Sequence, residues 1–221
     1  MVCGIAIALI ELSLFFFISR KIKHIHCQLQ SMNSITYYWL MMTIQTLLWE
    51  FFFVYDYDGV SRLSKYLLEH NQHVWTNDYN LLYVLPWDMS RIFYAEYASY
   101  ADREYMVLKN NWSRIIESTH AIFCGLFAFI SILSKIKHNT NSYLLALGVS
   151  MGSQLMNSIL YISNYLIEIN SPYSINYDSA SFPCGILLSK RPFMWINILW
   201  TVMPTYIIYK IFAKTTNSEV K

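Results

Sequence analysis

Apolar residues in this chain gather into blocks of around 20, the length that crosses roughly 30 Å of hydrocarbon as a helix. Five blocks qualify, at residues 2–19, 34–55, 112–133, 143–166 and 192–213. The pattern predicts an all-α polytopic membrane protein built as a bundle of five transmembrane helices. The first block is not expected to be a cleaved leader. No basic residue precedes it, no small-residue cleavage site follows it, and it ends in Arg20-Lys21-Ile22-Lys23, so it reads as a retained span. Residues 56–111 break the pattern. They contain Leu81-Leu82-Tyr83-Val84-Leu85-Pro86-Trp87, too short to span, and then a stretch rich in Tyr and Phe up to Tyr105. Membrane-lying segments, or a lid over the bundle, are expected between spans two and three. The chain thus divides into a first span with its loop (1–33), a four-span unit (34–213) and a short tail (214–221).

Charge sets the orientation. Arg20, Lys21 and Lys23 lie between spans one and two, Lys135 and Lys137 between three and four, and Lys210, Lys214 and Lys221 at the C-terminal end. These segments share one side, and the positive-inside rule makes that side cytosolic. Acidic residues outnumber basic ones in 56–111, which faces the other side together with the N-terminus. Only 14% of the residues are charged and 55% are hydrophobic, against about 25% charged in a soluble domain. A net charge of +2 with no basic stripe leaves no footprint for nucleic acid. Cys3, Cys27, Cys124 and Cys184 fall in different blocks without C-x-x-C spacing, so neither a zinc site nor a disulfide framework is signalled.

Chemistry is to be sought among polar groups inside the spans, because an ionisable side chain at mid-bilayer costs about 2.5–3.5 kcal/mol on insertion scales. Glu50 lies five residues before the end of span two, Glu117 five after the start of span three, and Asn197 five after the start of span five. At 1.5 Å per residue all three sit some 7–8 Å inside the extracytosolic boundary. Span four adds Ser150, Gln154, Asn157, Ser158 and Tyr161 at helical spacing. Ser150, Gln154 and Ser158 read as interhelical hydrogen-bonding groups, and the two glutamates as functional ones. Arg114, three residues before Glu117, is a candidate partner for it. Glu11, midway through span one, has no evident partner. His24, His26 and Cys27, and likewise Glu69, His70 and His73, carry donors of the right type for a soft metal; a mobile basic loop and ordinary helix spacing account for them better, and no metal or other cofactor is expected. Asn111-Trp112-Ser113 is a glycosylation sequon that abuts span three, too close to the membrane for use.

Several short stretches, in order and on the expected spans, resemble the emopamil-binding protein family, the sterol Δ8–Δ7 isomerases and relatives that share the EXPERA domain. They are Glu96-Tyr97-Ala98, Asp102 and Tyr105; Glu117 and Gly125; Val149-Ser150-Met151-Gly152 with Gln154 and Leu160-Tyr161; and Asn197-Ile198-Leu199-Trp200 with Pro204. The likeness runs from about Ser34 to Ala213, with two one-residue length differences. It implies a five-span endoplasmic-reticulum protein whose helices two to five enclose a sterol cavity. It also implies an isomerase that works without cofactor, protonating one alkene carbon and removing a proton from the far side. The implied partners are a sterol, membrane lipid and hydrophobic amines that mimic the carbocation, and the arrangement allows a homodimer.

Mapped onto this sequence, the likeness places Glu50, Glu117, Asn197 and Trp200 on the cavity, with Thr46, Tyr97, Tyr105, Gln154 and Tyr161 as further substrate-binding positions. Carboxylates stabilise a developing cation in a dry site, and the face of Trp200 adds cation–π attraction. The family pattern His-x-x-x-Glu on span two reads Thr46-Leu47-Leu48-Trp49-Glu50 here. Conversely, His120 stands where the isomerases have Thr, three residues after Glu117. A histidine and a threonine are thus exchanged between helices. The expected catalytic set is Glu50, Glu117, His120 and Asn197, with His120 replacing the usual general acid. The alternative is a non-catalytic sterol- or amine-binding relative that has lost the acid. A transporter is disfavoured, since no inverted repeat or broken helix is visible.

Overall fold

The computed structural model describes residues 1–101, 112–170 and 192–219, and nearly all of them are helical. Helix α1 (Gly4–Ile25) is followed by a short α2 (Cys27–Gln30) and by α3 (Ser34–Tyr55). Asn33 caps α3 by accepting from the amides of Ile35 and Thr36, satisfying donors that a helix start leaves open. Helices α4 (Tyr57–Glu69) and α5 (Pro86–Glu96) follow, α5 starting on a proline that needs no amide partner there. A third long rod, α6 (112–136), is made of Trp112–His120, a π-helical stretch Ala121–Leu126, and Phe127–Ile136. Helices α7 (Thr140–Asn170) and α8 (Pro192–Glu219) complete the bundle.

Three helical stretches among the described residues are long and apolar enough to cross a membrane: Arg114–Ile136, Thr140–Asn164 and Met194–Ala213. These are the third, fourth and fifth blocks of the sequence pattern, and the chain is a helical membrane protein. Helices α1 and α3 are each 22 residues long but less uniformly apolar. Glu11 and the Arg20-Lys21 pair interrupt the first, while Gln45, Glu50 and several Tyr and Trp residues dilute the second.

Helix α3 is the centre of the bundle, packing on α5, on α4 and on the full length of α6; α7 joins α6 to α8. A Cβ at Gly125, in the π-helical stretch, would overlap Leu47 of α3, so α6 and α3 meet as closely as a hydrogen allows. At one end the N-terminus pairs with the segment after α4: β1 (Val2–Cys3) runs antiparallel to β2 (Asp78–Tyr79). The amides of Gly4 and Ile5 donate to the carbonyls of Asn77 and Trp75. The N-terminus and residues 56–101 therefore lie at one end, as the charge pattern requires. At the other end Gln28 meets His138 at 3.5 Å, joining two of the basic connections. There Lys21, Lys23, Lys135 and Lys210 lay their ammonium groups over Phe17, Tyr37, Tyr143 and Tyr206.

Helices α4 and α5 form a lid, and its outer face is polar: Asp58, Arg62, Lys65 and Glu69 point outward while Val60, Ser64 and Leu67 are buried. Arg91 pairs with Asp56 at 2.5 Å, tying α5 to the end of α3. Ser99 donates to the Ser64 carbonyl, and Glu96 accepts from the Val74 amide and meets His73 at 2.6 Å. Two apolar cores result. One lies under the lid around Ile7, Phe53, Ile92 and Tyr97; the other lies at the basic end around Leu29, Tyr37, Leu40, Ile132 and Met151.

Candidate functional site

A cavity of about 390 Å³ has walls drawn from both cores, a size within the usual range for small-molecule sites. Helical periodicity assembles its walls. Met42, Gln45, Thr46, Trp49 and Glu50 form one face of α3; Ile116, Glu117 and His120 one face of α6; Asn157, Ser158 and Tyr161 one face of α7; and Ile196, Asn197, Leu199 and Trp200 one face of α8. The lid adds Phe93, Tyr94 and Tyr97, and α1 adds Glu11, Leu12, Phe15 and Phe16.

Its centre is a contact between helices: His120 Nδ1 of α6 lies 2.5 Å from Glu50 Oε1 of α3. Both side chains are buried, with 9% and 6% exposure, in the range where an unpaired charge is strongly destabilising. The edge of the His120 ring approaches Trp200 at 6.0 Å between centroids, and Trp200 rests on Trp39 at 5.1 Å. Glu117 accepts a hydrogen bond from the Tyr94 hydroxyl at 3.2 Å, so the lid reaches the second carboxylate directly. Tyr94 is itself stacked on Phe53 at 4.3 Å. Arg114, the expected neighbour of Glu117, places its guanidinium over the Tyr57 ring at 4.8 Å.

Three polar atoms of the wall residues are buried without a hydrogen-bond partner among the described residues: Glu50 Oε2, Asn197 Oδ1 and Trp49 Nε1. Each such group costs about 1–3 kcal/mol of desolvation, and all three border the cavity, where a ligand or ordered water supplies the missing partner. The π-helical stretches Tyr97–Ala101 and Ala121–Leu126 begin just after Glu96 and His120. Such irregularities recur at functional sites because they re-aim the flanking side chains.

Glu50, Glu117, His120, Asn197, Thr46, Trp200, Tyr97 and Tyr161 thus all line one cavity. Tyr105 and Asp102 lie outside the described residues, as do Asn111 and Cys184; Cys3 is exposed. Gln154 stands behind the wall rather than in it. Fully buried, it accepts from Trp39 Nε1 at 2.7 Å and reaches Thr43 at 3.5 Å, while Ser150 donates to the Cys124 carbonyl at 2.7 Å. The polar stripe of α7 therefore divides: its lower part joins helices, and its upper part, including Ser158, faces the cavity. His120 makes its contact with Glu50 of the neighbouring helix, although Glu117 lies three residues before it on its own helix. Thr46 donates to the Thr43 carbonyl at 2.9 Å. In the other histidine clusters, His73 pairs with Glu96, Glu69 lies 3.8 Å from Lys65, and Cys27 contacts Gln28.

Two features were not foreseen. Glu11 accepts a hydrogen bond from Gln45 Nε2, which brings α1 into the cavity wall. Both residues sit midway along their spans, and that matched depth is the signal that would have paired them. Tyr94, the partner of Glu117, lies in the aromatic stretch of the lid, where nothing in the sequence distinguishes it from its neighbours. Compared with protein-family models, curated proteins and solved structures, the chain matches none.

Proposed function

We propose that this protein is a sterol Δ8–Δ7 isomerase of the emopamil-binding type, acting inside the endoplasmic-reticulum membrane. The observation that carries this reading is the Glu50–His120 contact at the wall of an apolar cavity that also holds Glu117, Asn197 and Trp200. The reaction needs one proton delivered to an alkene carbon and one removed from an adjacent position, with a carbocation between. His120 in its imidazolium form supplies the first proton. Glu50 and Glu117 stabilise the cation, far more strongly in a dry site than in water, and Glu50 takes the second proton. That proton returns to His120 through the Glu50 contact, so the cycle closes with no change of oxidation state. Asn197 orients a carboxylate, while Trp200 and the aromatic residues of the lid wall the ring system.

The same reading has α1 and α3 as spans one and two, giving five spans with the C-terminus cytosolic. At 22 residues each they extend about 33 Å, enough for the hydrocarbon core. The Gln45–Glu11 bond lets each helix meet the other's polar group. A second reading, a sterol- or amine-binding protein without turnover, draws support from Thr46, whose hydroxyl is turned to its own backbone and supplies no acid where the isomerases carry histidine. Expression in cells that lack their own isomerase separates the two. Restored Δ7-sterols are expected; persistent Δ8-sterols beside a well-expressed, amine-binding protein would favour the binding role.

A further inference from the structure

Among the polar groups of the cavity, which include Asn157 and Ser158 of α7, two contacts between helices define separate sites. One surrounds Glu50 and His120. The other is Glu11 of α1 with Gln45 of α3, set among the apolar side chains of Leu12, Phe15 and Met42. Gln45 precedes Glu50 by five residues, about 7.5 Å along the helix axis. Its amide gives one hydrogen to Glu11, but a primary amide has two to give and a carboxyl group has several acceptor positions. The pair therefore keeps a donor and an acceptor side by side on the wall. That combination matches an alcohol, whose single oxygen both donates and accepts. A ketone matches it poorly: it has nothing to donate and sets its lone pairs against a carboxyl oxygen.

We propose that Glu11 and Gln45 form a hydroxyl subsite, which binds the alcohol end of an elongated apolar ligand whose rings reach Glu50 and His120. The proposal rests on the sterol reading above and extends it by assigning head-group recognition to α1. In a sterol the hydroxyl is on the first ring and the reacting double bond on the second, a separation comparable to that between the two sites. An alcohol set against Leu12, Phe15 or Met42 alone would bear its desolvation unpaired.

The test is equilibrium binding of cholestanol and cholestanone to the full-length protein in phosphatidylcholine nanodiscs. Both are saturated, so neither can be isomerised. The alcohol is expected to bind about fivefold more tightly than the ketone, the factor that one hydrogen bond of about 1 kcal/mol is worth. In Glu11→Leu the ratio should fall to near one. Glu11→Gln, which keeps an acceptor oxygen, should retain a part of the preference and serves as the test if the leucine variant does not fold. A ratio taken within each variant is unaffected by how much protein is folded. Equal binding of both probes to the unaltered protein overturns the subsite and leaves the sterol reading standing. A preference that survives Glu11→Leu places the hydroxyl elsewhere and also overturns it. Binding of neither probe overturns the sterol reading, and the subsite with it.

Discussion

At the scale of single residues the decisive contact is His120 with Glu50. A general acid must reach the alkene and hold a proton at working pH, and histidine suits that range better than other side chains. Thr46 cannot take the role, since an unassisted hydroxyl is far too weak an acid to protonate an isolated alkene. His120→Ala is therefore expected to lower turnover by at least about 100-fold, the low end for general acid catalysis. The double change Thr46→His with His120→Thr should recover part of it, by putting the imidazole one turn before Glu50 on α3. Steady-state rates on a Δ8-sterol check both, and a turnover indifferent to His120→Ala would leave Glu50 as the proton donor. That Glu50, Glu117 and Asn197 share one cavity was legible from the sequence because a polar group within an apolar span stands out by cost; His120 came to notice only through the resemblance to the isomerases. Their partners were not legible. Which carboxylate faces His120 depends on how α6 is rotated against α3, and spacing along one helix carries no such information.

At the scale of elements, the site depends on how closely α6 approaches α3. Gly125 packs against Leu47, where any Cβ would overlap it; Gly152 on α7 has nothing within 4 Å of where a Cβ would stand. Gly125→Val should cost about 1–3 kcal/mol, as overpacking does elsewhere, and should weaken ligand binding by pushing His120 off Glu50. Gly152→Ala should be neutral or slightly stabilising, because it removes freedom from the unfolded chain without a clash. Thermal unfolding in detergent, with amine binding as a second readout, compares the two; equal effects would contradict the close approach. Both glycines belong to the stretches that resemble the isomerases, yet only the packed helices show that they carry different loads. The π-helical stretches next to Glu96 and His120 were likewise invisible in the sequence, since an apolar run is compatible with either hydrogen-bond register.

At the scale of the whole molecule, two apolar cores contribute to the walls of a polar-studded cavity, capped by a lid and closed on one side by α1. The blocks of apolar residues foretold the long helices, and the alternation of basic and acidic connections foretold which ends lie together. The N-terminus does pair with the segment after α4, and the basic connections do meet at the opposite end. That α1 joins the wall was not read from the sequence, although Glu11 and Gln45 sit at matched depth; Leu12, Phe15 and Phe16 line the cavity beside Glu11. The central claim is that this cavity moves protons on a carbon skeleton. The most direct measurement supplies a Δ8-sterol to the purified protein in heavy water and analyses the sterol by mass and position of its double bond. A Δ7-sterol is the expected product, with deuterium at the protonated carbon in proportion to the exchange of His120 with the heavy water between turnovers. Recovery of the Δ8-sterol, bound but with its double bond unmoved and no deuterium in the ring, would contradict proton transfer at Glu50 and His120.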